Sequence, residues 1–359
     1  MIVIDMHLDL AMNALNWNRD LRKSVYEIRQ DEAGMPQKGR GGGTVAFPEM
    51  RAGDVAVCSA TLLARENPRG TSSLDFRAPE MAYGFAMGCL AYYRQLEAEG
   101  VCRIITDWPA LEQHVQEWTR RGPDQTPLGF IISMEGADPI ISPDQVPHWY
   151  AAGLRVVSLV HYGVSRYAHG TGAPGGLTPL GRPMLQAIES CGLILDLTHL
   201  ADESFYQALE IYHGPVLASH NNCRALVPGD RQFTDDQIRL IIERGGVIGA
   251  AFDNWMLYPG YVRGETPREL VPLTNVIDHI DHICQIAGNA RHAAIGTDLD
   301  GGYGIEQSPA GLDTIADLQK IPDLLRARGY AESDVEAIMY GNWLRLFRDV
   351  WTGSGPRAG

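Results

Sequence analysis

The sequence predicts an α/β protein built as a single (β/α)8 TIM-like barrel. Three observations carry this. Apolar runs of strand length alternate with longer helical patterns, eight such runs recur along the 359 residues, and ionisable residues stand at the C-terminal ends of most of them. Alternation with near-continuous apolar strands implies a parallel sheet covered on both faces. Eight main strands favour closure into a barrel. An open doubly wound sheet is the alternative. A GxGxxG after the first strand would favour it, but His7 and Asp9 stand in that place.

The first strand is predicted at 2–7 (IVIDMH). A long connection, 11–53, follows, with its Gly-rich stretch at 39–43 read as loop. Further strands are predicted at 54–63, 129–134, 155–160, 193–198, 215–219, 246–251 and 293–297, with a short extra strand at 102–106 outside the main series. Helical patterns cover 75–99, 108–120, 179–191, 202–212, 234–244 and 272–288, and two more at 312–329 and 332–350 close the domain. One domain therefore spans 1–350, and 351–359 reads as a flexible C-terminal tail. The segments 11–53 and 252–271 are long connections of the kind that carry function.

Composition narrows the partners. At 45% hydrophobic and 21% charged the chain can bury a sizeable core. A formal charge of −14 argues against nucleic acid or an anionic membrane as the main partner. The six cysteines are scattered with no CxxC pair, which reads as reduced thiols in a cytosolic protein. No secretory signal is visible, and no apolar run approaches the ~20 residues of a membrane span. A cytoplasmic location is expected.

The chemistry lies at the strand ends. Strand 1 ends in His7 and Asp9, two residues apart and so on one side of an extended chain. Later strands end in Glu135, His161, His199, His220 and Asp298, with Asp300 close by. Barrel enzymes gather their catalytic groups at this rim. Imidazole and carboxylate suit zinc and similar divalent ions. His7, Asp9, Glu135, His199 and His220 are enough for two ions with Glu135 bridging, and such a pair lowers the pKa of a shared water and clamps both oxygens of a reacting centre. Asp5 reads as a supporting or turn residue, and Asp196 as a hydrogen-bonding residue near His199. The other histidines receive no role; His279 and His282 of DHIDH read as a solvated helix face.

In order along the chain, D-x-H-x-D at 5–9, MEG at 134–136, RVVSLVHYG at 155–163, LTH at 197–199, SH at 219–220, RQFTDDQIRL at 231–240, GTDLDG at 296–301 and GNWLRLF at 341–347 resemble the membrane (renal) dipeptidases, peptidase family M19 of the amidohydrolase superfamily. The resemblance implies a metallo-dependent hydrolase barrel that cleaves dipeptides, including L-Xaa-D-Xaa, with two zinc ions. His7 and Asp9 would hold one ion, His199 and His220 the other, and Glu135 would bridge. His161 would contact the scissile carbonyl oxygen, Arg231 the substrate carboxylate, and Asp298 would transfer the proton. A homodimer is the family's assembly. Met6 and Leu8 depart from the family pattern, 252–271 does not match it, and Arg224 offers a second carboxylate clamp. The competing readings are a metal-dependent amidohydrolase of N-acyl amino acids, lactones or cyclic amides, and a non-catalytic barrel with a structural zinc.

Overall fold

The computed structural model describes residues 1–354. Its strands are β1 (Val3–Leu8), β2 (Val55–Leu63), β3 (Arg65–Glu66), β4 (Asp75–Phe76), β5 (Cys102–Ile104), β6 (Leu128–Glu135), β7 (Leu154–Ser158), β8 (Ile194–Asp196), β9 (Val216–Leu217), β10 (Ile248–Ala250) and β11 (Ala293–Ile295). Every predicted strand is present, although β8 to β11 are only two or three residues long.

The main sheet is wholly parallel, in the order β1-β2-β6-β7-β8-β9, with β5 paired to the N-terminal half of β6. Its residues are buried along nearly their whole length, as a parallel sheet covered on both faces requires. The expected closed eight-stranded ladder is not found. Six main strands form one continuous sheet, while β10 and β11 form a separate parallel pair.

The ladder breaks for identifiable reasons. Between β9 and β10 a single bridge, Ala218 to Ile248, is made. A Cβ on Gly249 or Gly296 would sit 2.2 or 1.8 Å from the Ser219 carbonyl oxygen, so the chains cross here closer than any side chain allows. Between β11 and β1 a side chain replaces the ladder. The Thr297 amide donates to Asp5 Oδ1 (2.9 Å) and its hydroxyl to Asp5 Oδ2 (2.6 Å), and the Asp298 amide reaches the His7 carbonyl at 3.3 Å. Asp5 is wholly buried and also accepts from the His7 amide.

The predicted helices recur at Pro79–Ala98, Trp108–Arg121, Gly181–Cys191, Asp202–Ile211, Asp235–Glu243 and Thr274–Ala287. The stretch at 234 starts with a capping box between Thr234 and Gln237, which fixes its first turn. The segment predicted as one helix at 312–329 is a 3₁₀ turn, Ile315–Lys320, followed by α-helix Ile321–Arg328. The closing helix contains a π-turn, Ala337–Gly341, and runs on to Thr352, into the stretch read as a tail; 355–359 lie outside the described residues.

The connection 11–53 is not an open loop. It holds three short helices, Leu10–Leu15, Val25–Asp31 and Phe47–Ala52, and it is tied to the end of β11 by a buried polar network. Asp300 accepts from the Thr44 amide and hydroxyl (both 2.8 Å), the Val45 amide (3.0 Å) and Arg19 Nη1 (3.1 Å). Arg19 in turn forks onto both oxygens of Glu32 at 2.8 and 3.0 Å.

The seam at Asp5 should be measurable. Asp5→Ala strands two backbone amides and a hydroxyl in the interior and is expected to cost about 3–5 kcal/mol, whereas Thr297→Val, which removes one partner, costs about 1 kcal/mol. Urea unfolding of both variants tests this; equal and small losses would show that the seam contributes little.

Candidate active site

Five strand ends deliver a compact cluster of imidazoles and carboxylates. Three donor triads form, each with its atoms within 4.8 Å of one another: His7–Asp9–Glu135, Glu135–His199–His220, and His7–His220–Asp298. Glu135 belongs to two of them through different oxygens. Its Oε1 lies 3.1 Å from His199 Nε2 and 3.3 Å from His220 Nε2, and its Oε2 lies 3.6 Å from His7 Nε2.

The imidazoles are held by their other nitrogens. Thr171 Oγ1 sits 3.0 Å from His199 Nδ1, and Ser219 Oγ sits 2.9 Å from His220 Nδ1 and 3.4 Å from His7 Nδ1. Occupying Nδ1 in this way leaves the Nε2 lone pairs aimed at the cluster centre. His199 adopts φ 69° and Asp298 φ 59°, left-handed conformations that turn both side chains inward at a cost the surrounding packing sustains.

The electrostatics are unfavourable for a protein without a cation here. Burial pushes His7 down to about 3, with Arg231 adding to the effect, and holds His199 and His220 well below the ordinary imidazole range. Burial pushes Asp9 up to about 7, and burial plus the neighbouring acids push Glu135 and Asp298 well above the carboxylate range. Neutral imidazoles are the form that ligates. His7 Nε2 and Asp9 Oδ1 are buried without a hydrogen-bond partner. Two unsatisfied donor atoms amid raised carboxylates fit divalent cations.

The cluster forms the floor of a cleft of about 480 Å³. Asp9, Glu135, His161, His199, Arg231 and Asp298 all line it. His161 Nε2 lies 3.7 Å from Glu135 Oε1, and its Nδ1 lies 3.3 Å from Arg65 Nη1. Arg231 is 2% exposed; one nitrogen donates to the His220 carbonyl at 2.8 Å and another to Asn221 Oδ1 at 2.5 Å. These bonds aim the guanidinium and leave part of its fork for a ligand.

The sequence-predicted residues His7, Asp9, Glu135, His161, His199, His220, Arg231 and Asp298 are thus brought together. Two expectations are corrected. Arg224 forks onto Asp202 at 2.7 and 2.8 Å, away from the cleft, and is no clamp. DHIDH is not a solvated face: His279 is 1% exposed and accepts the Cys223 amide at 3.0 Å, and His282 pairs with Asp235 at 2.8 Å. Asp196 accepts from the Thr198 and Ser219 amides and so braces two ligand-bearing strand ends. The sequence did not single out Lys38, Arg65, Asp253 or Arg263 for the cleft. The only signal for three of them was their place in the two long connections.

A family model, membrane dipeptidase (peptidase family M19), matches residues 1–355. The chain belongs to peptidase family M19. Membership sets its class as a hydrolase, a metallodipeptidase. The M19 chain is 31% identical over 234 residues to an uncharacterized protein in the pqqA 5′ region of Klebsiella pneumoniae, covering 62% of this chain and 83% of that one. It is 30% identical over 229 residues to an uncharacterized dipeptidase of Schizosaccharomyces pombe, covering 62% of this chain and about half (53%) of the yeast protein. Its fold superposes with TM-score 0.78 on a metallopeptidase of Rhodobacter sphaeroides liganded with a phosphinate mimic of L-Ala-D-Ala, at 22% identity and with 98% and 99% of the two chains covered. Among the described residues of this chain no helix is long and apolar enough to cross a membrane.

Cation binding here should appear as stability. Zinc added to metal-stripped protein at a hundred times its Kd is expected to raise the unfolding free energy by about 2.7 kcal/mol per ion. The shift should be largely lost in Glu135→Ala, whose side chain belongs to both triads. A full shift in that variant would remove Glu135 from the ligand set.

Proposed function

We propose that residues 1–350 form one barrel domain and act as a zinc-dependent dipeptidase that holds two ions, with Glu135 between them. The carrying observation is that the two Glu135 oxygens face opposite ligand sets, His7 on one side and His199 with His220 on the other. Barrel closure is supported by the Ala218–Ile248 bridge and by the Asp5–Thr297 seam. A cytoplasmic setting is supported by cysteines that are all free.

Zinc held by these residues would act as a Lewis acid on the peptide carbonyl and lower the pKa of the attacking water. The remaining work falls to the side chains of the chain. Arg231, planar and already braced by the His220 carbonyl, receives the free carboxylate of the dipeptide. His161 stands at the cleft wall, where its imidazole donates to the carbonyl oxygen as negative charge develops. Asp298 accepts the proton of the attacking water and passes it to the leaving nitrogen. A carboxylate anchor at Arg231 restricts the substrate to short peptides with a free C-terminus.

The test is hydrolysis of L-Xaa-L-Xaa and L-Xaa-D-Xaa dipeptides by the protein as isolated, after chelation, and with zinc restored. Activity should vanish and return with about two ions per chain. Asp298→Asn should lower kcat by about 10²–10⁴-fold. Arg231→Ala should lower kcat/KM by about 30- to 1,000-fold on free dipeptides, mainly through KM, and by much less on their C-terminal amides. An equal loss on acids and amides would remove Arg231 from the carboxylate site. Two bound ions with no dipeptide cleaved would turn the search to N-acyl amino acids and lactones.

A further inference from the structure

The cleft is lined by cations as well as acids: Asp9, Glu135 and Asp298 belong to the ligand cluster at its floor, and Asp253 lies within electrostatic reach of Lys38. Four cationic side chains line it: Lys38, Arg65, Arg231 and Arg263. Arg65 is paired with Asp75 at 2.7 Å. The other three have no carboxylate within ion-pair distance among the described residues, in a chain whose net charge is −14. The C-terminal carboxylate of a dipeptide satisfies Arg231 and leaves Lys38 and Arg263 at the mouth.

Both are positioned by bonds that leave their charged ends open. Lys38 precedes a segment tied down by the Gly39 carbonyl to Arg19 (2.7 Å), the Gly41 amide to Glu32 (2.8 Å) and Thr44 to Asp300. Its ammonium has no hydrogen-bond acceptor among the described residues; the Tyr303 ring centroid lies 5.9 Å away. Arg263 donates Nε to Gln307 Oε1, and Gln307 Nε2 donates to Asp253 Oδ1. That chain of bonds fixes the guanidinium plane while Nη1 and Nη2 stay unpartnered among the described residues. Desolvation within the cleft, and next the charge of Arg263, push Lys38 down to about 8, against the opposing pull of Asp253, Glu306 and Asp298. Asp253 is braced through its Oδ1, which accepts from Gln307 Nε2 and from the Trp255 amide.

We propose that Lys38 and Arg263 form a second carboxylate-binding subsite that selects dipeptides carrying an aspartate or glutamate side chain. The inference rests on the dipeptidase reading and names its substrate class. A side-chain carboxylate there would be held by a forked guanidinium and a point charge, while its amide isostere would leave both cations unneutralised.

The experiment compares kcat/KM of the zinc-loaded enzyme for acid and amide isosteres at each position: L-Ala-D-Glu against L-Ala-D-Gln, and L-Glu-L-Ala against L-Gln-L-Ala. In at least one pair the acid should be preferred by about 10- to 100-fold. The ratio should fall towards one in Lys38→Gln with Arg263→Gln, partway in each single variant, and with rising salt. No acid preference, or a preference that survives the double variant, overturns the proposal. If no dipeptide is cleaved at all, the catalytic reading fails separately. Titration calorimetry of L-glutamate against L-glutamine then decides the subsite: tighter glutamate binding that is lost in the double variant supports it, and equal binding overturns it.

Discussion

Everything at the cleft depends on the seam between the first strand and the last. The chain must bring residues 7 and 9 beside residue 298, and no ladder of backbone hydrogen bonds joins β1 to β11. Asp5 does this instead, accepting from the amide and hydroxyl of Thr297 and from the His7 amide with one buried carboxylate. Burial pushes its pKa up to about 6, so its three donors must outweigh a real desolvation cost. In return the seam is short and stiff. Asp298 follows Thr297 directly, and His7 follows two residues after Asp5, so one interaction sets the spacing of groups on both sides of it.

A second constraint fixes the opposite side of the site. Asp196 accepts from the Thr198 and Ser219 amides, and Ser219 in turn meets the Nδ1 atoms of His220 and His7. His199 and His220 therefore stand on backbone that one carboxylate cross-links. Asp5 and Asp196 serve the same purpose at two seams: each converts a side chain into a substitute for strand pairing where the strands are too short to pair far. The glycines at 249 and 296 let the chain pass against the Ser219 carbonyl. Rigidity here has a chemical purpose, because ligands already held in place lose little freedom on binding a cation.

The strand ends were legible because each ligand interrupts an apolar run, and an acid or imidazole at the end of a buried strand conflicts with burial unless something compensates it. The convergence of His7, Glu135, His199 and His220 on one point could be expected from the alternating pattern alone. The open ladder could not, since hydrophobic runs at 215–219 and 246–251 say nothing of how close two glycines let their neighbours come. Loop residues were also illegible. Lys38, Asp253 and Arg263 belong to no periodic pattern, and their meeting at the cleft depends on contacts such as Gly39 to Arg19 and Arg263 to Gln307 that no spacing encodes. His279 was misread for a related reason: polar neighbours at 278, 281 and 282 suggest solvent, but the Cys223 amide needed an acceptor inside.

The distribution of charge explains how one cleft could separate binding from chemistry. The acids Asp9, Glu135 and Asp298 lie at the floor, where burial makes each carry its charge at a cost and a bound cation relieves it. The unpaired cations lie elsewhere: Arg231 on the wall, braced against the His220 carbonyl, and Lys38 and Arg263 at the mouth. A dipeptide bound in the proposed way rests its free carboxylate on Arg231, which orients it over the floor. The floor residues come from strands and the mouth residues from long connections. Substitutions at the mouth are therefore expected to change which side chains are accepted while leaving the ligand cluster and its two carboxylate seams in place.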